Sequence, residues 1–232
     1  DEDSYLRARL FDMLIGDWDR HEDQWRWALH EQSDGTQLYK PIPRDRDQAF
    51  PKYDGVFPAL LKMASPLARN MQTYAPEIKN IKTFNNAVYY LDKSFINRAS
   101  WDDWKAQAEA IQKQLTDQVI DSAFENLLED TKDESIETIK SILKERRAHI
   151  KTIARNYYDY FKKHEIIIAT NKDNKINISR LPKGETKVVI TQKDKTILEN
   201  SYRKDETKEL WIYALDGDDK ISVSGAGEDY IK

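Results

Sequence analysis

Gly16-Asp17-Trp18-Asp19-Arg20-His21-Glu22-Asp23-Gln24-Trp25 crowds acids, an arginine and a histidine into one short stretch, and Tyr39-Lys40-Pro41-Ile42-Pro43-Arg44-Asp45-Arg46-Asp47-Gln48-Ala49-Phe50 answers it with a second acidic run. Between them Trp25, Trp27 and Leu29 alternate with polar residues, as a half-buried strand does. Asp34-Gly35 is a strong hairpin signal, and Thr36 to Ile42 reads as the returning strand. Pro41 and Pro43 flank its last residue, so the strand lies at an edge or ends there. A hairpin over residues 25–42 doubles the chain back, so that Asp45 and Asp47 return toward Asp19.

Before this hairpin, Ser4 to Ile15 reads as a helix with Tyr5, Leu6, Leu10, Met13 and Leu14 as its apolar stripe. Asp3 or Ser4 caps its start and Gly16 ends it. Gln48 to Gly55 reads as a loop. The pattern is then mostly helical to His164. It includes a short helix over Phe57–Met63, one capped by Ser100 with Trp101, Trp104, Ala108, Ile111 and Leu115 on its stripe, one from Asp117 to Leu128, and a long one from Ser135 through Lys163. Ile81 to Phe95 fits either a helix or an irregular segment.

Near His164 the period changes to short β-type runs around Ile166–Ile168, Ile176–Ile178, Val188–Thr191, Thr196–Leu198 and Leu210–Tyr213, separated by turn signals. The expected fold class is therefore α+β. Residues 1–165 form a mainly helical domain with a hairpin, and residues 166–232 form a small all-β, sandwich-like module. Asp216-Gly217-Asp218-Asp219 lacks the spaced ligands and closing Glu of a calcium loop and reads as a turn.

Composition narrows the function classes. Charged residues are 34% of the chain but the net charge is only −4, which argues against a nucleic-acid face. There is no cysteine, which excludes disulfides and thiolate metal sites. Four histidines show no zinc spacing. No run is apolar and long enough for a membrane span, and no signal peptide is visible. The chain lacks a starting Met and stops just after an alternating strand-like run, so it reads as an excised piece of a longer protein.

Clustered carboxylates repel one another unless a proton or cation neutralises them, and a hard divalent ion such as Mg²⁺ or Mn²⁺ suits oxygen ligands. Phosphoryl transfer needs that ion on the nucleotide phosphates and a separate carboxylate to position the acceptor hydroxyl. Asp19 suits the second role. Asp45, Asp47 and the side-chain oxygen of Gln24 suit the first. Against this stands the plain reading of Asp and His as loop and capping residues, with Arg20, Arg44 and Arg46 neutralising them.

Asp19-Arg20-His21 with Gln24, followed by the hairpin and Ile42-Pro43-Arg44-Asp45 with Asp47, Ala49 and Phe50, resembles the atypical kinases of the CotH type. The looser pattern is shared by HipA-like, secretory-pathway casein and phosphoinositide kinases. The resemblance covers roughly Phe11 to Gly55. It implies a kinase C-terminal lobe using ATP and Mg²⁺ (or Mn²⁺) and acting on a protein hydroxyl. Asp19, Arg20 and His21 would lie in the catalytic loop, Gln24 and Asp45 would hold cofactor, and Asp45, Asp47 and Gln24 would hold metal. It also implies an extracytoplasmic location and an N-terminal lobe upstream, without which this chain would be inactive. Gln24 stands where the family has Asn, and the glycine after Phe50 is missing. Both departures suit an alternative: a degenerate kinase fold serving as a scaffold or binding module.

Overall fold

The computed structural model describes residues 1–65, 67–125, 127, 132–225 and 231–232. The chain is mixed α+β and divides into two compact units, Asp1–Tyr158 and Asp159–Lys232.

The first unit is built on helix α1 (Glu2–Ile15). Asp1, rather than Asp3 or Ser4, is its N-cap, and its carboxylate accepts from the Ser4 amide at 3.2 Å. The apolar stripe of Leu6, Leu10, Met13 and Leu14 is fully buried. A second buried stripe, Tyr5, Arg9 and Asp12, runs beside it at the same helical spacing and carries polar groups. A helix buried on two stripes must be surrounded, and α1 packs against α4 (Tyr89–Ile96), α5 (Trp101–Gln114), α7 (Ser135–Ala148) and strand β2 (Gln37–Pro43).

The hairpin pairs β1 (Trp25–Glu31) with β2 in antiparallel register, Trp25 opposite Pro43 and Glu31 opposite Gln37. Gly35 takes φ 80 in the turn, and the Asp34 carboxylate accepts from the Thr36 amide at 2.9 Å. As a two-stranded sheet it is edge on both sides, which is why two prolines fit in β2. Its inward face fades along the strand: Trp25 is buried, Trp27 is half-buried against Phe95 at 4.5 Å between ring centroids, and Leu29 is exposed.

Among the helices, α2 spans Val56–Ala64 and leaves Val56, Phe57 and Met63 exposed. The ambiguous 81–95 stretch forms two helices, α3 (Ile81–Phe84) and α4. Ser100 caps α5 through a reciprocal capping box with Asp103. Helix α6 runs Asp117–Glu125; residues 126 and 128 of the expected helix lie outside the described residues. The single long helix expected from Ser135 is interrupted. Its first part, α7, ends at His149, whose φ of −99° and ψ of 10° leave the helical range, and α8 (Ile150–Phe161) begins a new stripe of Ile150, Ile153, Ala154 and Tyr157. Side-chain periodicity continues across this break, so the sequence pattern did not register it.

In the second unit, the parallel pair β3 (His164–Ile168) and β7 (Glu209–Tyr213) and the four-stranded sheet β6-β5-β4-β8 contribute to one core. Here β4 is Lys175–Leu181, β5 Glu185–Gln192, β6 Lys195–Arg203 and β8 Lys220–Ser224. Ile167, Ile176, Val188, Ile190 and Tyr202 are its buried centre. The acidic turn before β8 is structural. Asp219 accepts from the backbone and side-chain amides of Asn174 at 2.8 and 2.9 Å, and a Cβ on Gly217 would meet the Lys172 carbonyl carbon at 2.6 Å.

Candidate functional site

The acidic loop begins where α1 stops, and the end of that helix is fully tied down. A helix leaves its last four carbonyls without intrahelical donors. Here each has a partner. Asp12 O accepts from the Asp17 amide at 2.9 Å, with Gly16 in the left-handed conformation at φ 80. Met13 O accepts from Arg146 Nη1 at 2.7 Å, Leu14 O from the Tyr74 hydroxyl at 3.1 Å, and Ile15 O from the Phe50 amide at 2.8 Å. Three distant segments therefore hold the point from which the loop departs. Arg146 places a cation at the helix's negative end, although burial lowers its pKa to about 10.

Beside this terminus lies a buried charge network. Asp12 is fully buried and accepts from three guanidiniums: Arg9 Nη1 at 3.1 Å, Arg20 Nε at 3.2 Å, and Arg46 Nε and Nη2 at 3.1 and 3.0 Å. Arg9 also binds Asp92, through Nε at 3.0 Å, and Asn85, through Nη2 at 2.7 Å. Asp92 accepts in addition from the Tyr5 and Tyr157 hydroxyls at 2.7 and 2.6 Å. Burial, with Asp92 adding to it, raises both tyrosine pKa values, so the phenols stay protonated donors.

Arg20 connects this network to the hairpin. It is completely buried, and its Nη1 donates to Gln24 Oε1 at 2.8 Å, to the Asp45 carbonyl at 2.7 Å and to the Arg44 carbonyl. The Arg44 amide donates to the Gln24 carbonyl at 2.8 Å. The Arg20 guanidinium lies 4.9 Å from the centre of the Trp25 ring. The loop and the end of β2 are thus fastened together by a charged group serving as a hydrogen-bond hub.

Around this hub the expected site residues fall into two groups. His21, Gln24 and Asp45 line one shallow depression of about 380 Å³, together with Asp23, Arg26 and Arg44. Asp45 is exposed and takes φ 51. His21 is half exposed, with Nδ1 4.0 Å from Asp23. Asp19 and Asp47 do not line the depression. They act with Asp17 on the Tyr53 hydroxyl, whose pKa is raised by burial and then by these carboxylates. That hydroxyl accepts from Trp18 Nε1 at 3.0 Å and donates to Gln48 at 2.5 Å. The Gln24 oxygen required for a metal role is instead engaged by Arg20.

The sequence pattern gives no sign of a special part for Asp17. It is 1% exposed, and among the described residues neither carboxylate oxygen has a hydrogen-bond partner and its ion-pair contact is Arg20 Nη1 at 3.6 Å. Burial, followed by repulsion from Asp12, pushes its pKa up to about 7. The available signal was its position directly after the helix-ending glycine, where a polar side chain is carried inward by a fixed turn. Asp12 was equally invisible, since the helix was read from its apolar stripe alone.

Among the described residues no group of three or more His, Asp or Glu is arranged to hold a metal ion. Asp45 and Asp47 are both exposed, and of the two only Asp45 lines the depression. No helix among the described residues is long and apolar enough to cross a membrane. The chain matches no family model, no curated protein and no solved structure.

Proposed function

We propose that the Asp1–Tyr158 unit is the metal- and phosphate-handling part of a kinase-like domain that transfers a phosphoryl group from ATP to a protein hydroxyl. The observation that carries this is the Arg20 hub, which fixes Asp45 against the loop bearing Asp19 and His21. In this reading Asp45, with Asp47, holds Mg²⁺, and Asp19 positions the acceptor hydroxyl. The ion supplies neutralisation of charge on the transferring phosphates. Arg26 and Arg44 in the depression add cationic donors for phosphate oxygens. Positive φ at both Asp45 and Phe50 brackets Asp47, and such unfavourable backbone tends to gather at functional sites.

The test is Mn²⁺ binding followed by electron paramagnetic resonance, with and without ATP. ATP-dependent Mn²⁺ uptake that is lost in Asp45→Gly supports the proposal. A specific observation favours the second reading, a non-catalytic scaffold: the Gln24 oxygen is held by Arg20. A folded wild-type protein with no nucleotide-dependent metal binding decides for the scaffold.

A further inference from the structure

We propose that a groove bordered by α1, α5 and α6 binds an amphipathic organic carboxylate, with its apolar tail on the floor and its head group at Arg7 and Arg46. The groove encloses about 420 Å³, within the range of roughly 300–1,000 Å³ usual for small-molecule sites. Ala8, Phe11, Ile111 and Leu115 make its floor, and among the described residues that line it none is acidic and the charges are two guanidiniums.

Among the described residues neither arginine is balanced by a carboxylate of its own. Arg7 donates through Nε to the neutral Gln107 at 2.8 Å and has no acidic partner among the described residues. Arg46 spends Nε and Nη2 on Asp12, a carboxylate already shared with Arg9 and Arg20, and its Nη1 makes no hydrogen bond among the described residues. Arg46 is also held in place, 5.3 Å from the centre of the Phe11 ring. A carboxylate there would accept donors already fixed in direction, which lowers the ordering cost of binding. Arg7 and Phe11 are four residues apart on α1, so head and tail positions share one helix face. A neutral apolar molecule would leave the guanidiniums unmatched, and a small inorganic anion would leave the floor uncovered.

This inference is independent of the phosphoryl-transfer reading. The test is isothermal titration of the intact chain with decanoate below its micelle concentration, beside decanol and acetate. The variants are Arg7→Gln and Val119→Glu, both at exposed positions and checked for native circular dichroism. Decanoate is expected to bind about tenfold or more tighter than either control, and each variant to weaken it by roughly tenfold. Equal binding of decanol and decanoate, no decanoate binding by the folded wild type, or binding unchanged in both variants would overturn it.

Discussion

The guanidinium of Arg20 reaches the backbone carbonyl of Asp45 at 2.7 Å, twenty-five residues along the chain, without any exposure to solvent. One buried cation thereby sets where the second acidic segment lies relative to the first. Removing it leaves Asp12 short of a donor and the ends of the hairpin untied. Arg20→Met is expected to cost ~3–5 kcal/mol in urea denaturation, because breaking a buried pair strands its partner. Amide exchange at Arg44 should quicken in the same variant. A loss below about 1 kcal/mol would show that the hairpin closes without this hub.

Asp17 gives a pH signature. Its pKa moves from 3.8 to about 7 on folding. In that window the folded state keeps the proton while the unfolded chain has released it, so stability falls as pH rises and levels off above the upper value. Asp17→Asn removes this dependence. Relative to wild type it should gain up to ~4 kcal/mol between about pH 4 and about pH 8, by denaturant unfolding at each pH. Parallel curves for the two proteins would place the Asp17 carboxyl in a wetter setting.

Gly16→Ala combines two penalties. The position has φ 80, and a Cβ would stand 2.7 Å from Tyr74 Cδ2. The ring cannot retreat freely, since it stacks under Arg146 at 4.4 Å and its hydroxyl binds Leu14 O. A loss of ~2–4 kcal/mol is expected in thermal or urea unfolding. A neutral effect would mean that the α1 terminus can relax away from Tyr74.

The two tyrosines on Asp92 test the network. Tyr5→Phe and Tyr157→Phe each delete one hydrogen bond to a buried carboxylate, and each should cost ~1.5–3 kcal/mol. Because both act on one acceptor, the double variant should depart from the sum by more than ~0.5 kcal/mol. Strict additivity would argue that Asp92 is held mainly by Arg9.

Asp45 separates backbone from carboxylate. At φ 51 glycine is at ease and alanine is not, so Asp45→Gly should be about 1 kcal/mol more stable than Asp45→Ala by denaturant unfolding. Equal stability would mean the turn tolerates a Cβ, and the two variants would then serve equally in the metal titration.

Much of the local architecture was legible. Asp34-Gly35 between alternating segments specified the hairpin, and Ser100 specified the start of α5, because turn and capping preferences act within a few residues. The β-type runs after His164 marked strands for the same reason. The break at His149 was missed because the apolar spacing of Ile150 and Ile153 continues that of α7.

What the chain determines by itself is the pair of acidic segments and the ribbon that returns one toward the other. Which carboxylates are buried was decided only in three dimensions. Asp12, Asp17 and Asp92 lost their water, while Asp45 and Asp47 kept theirs. Arg9, Asp12 and Asp92 are buried where partners satisfy them, drawn from as far as eighty-three residues along the chain, whereas burial of Asp17 instead raises its pKa. No local period encodes such a meeting, so the network that holds the site together is a property of the packed helices.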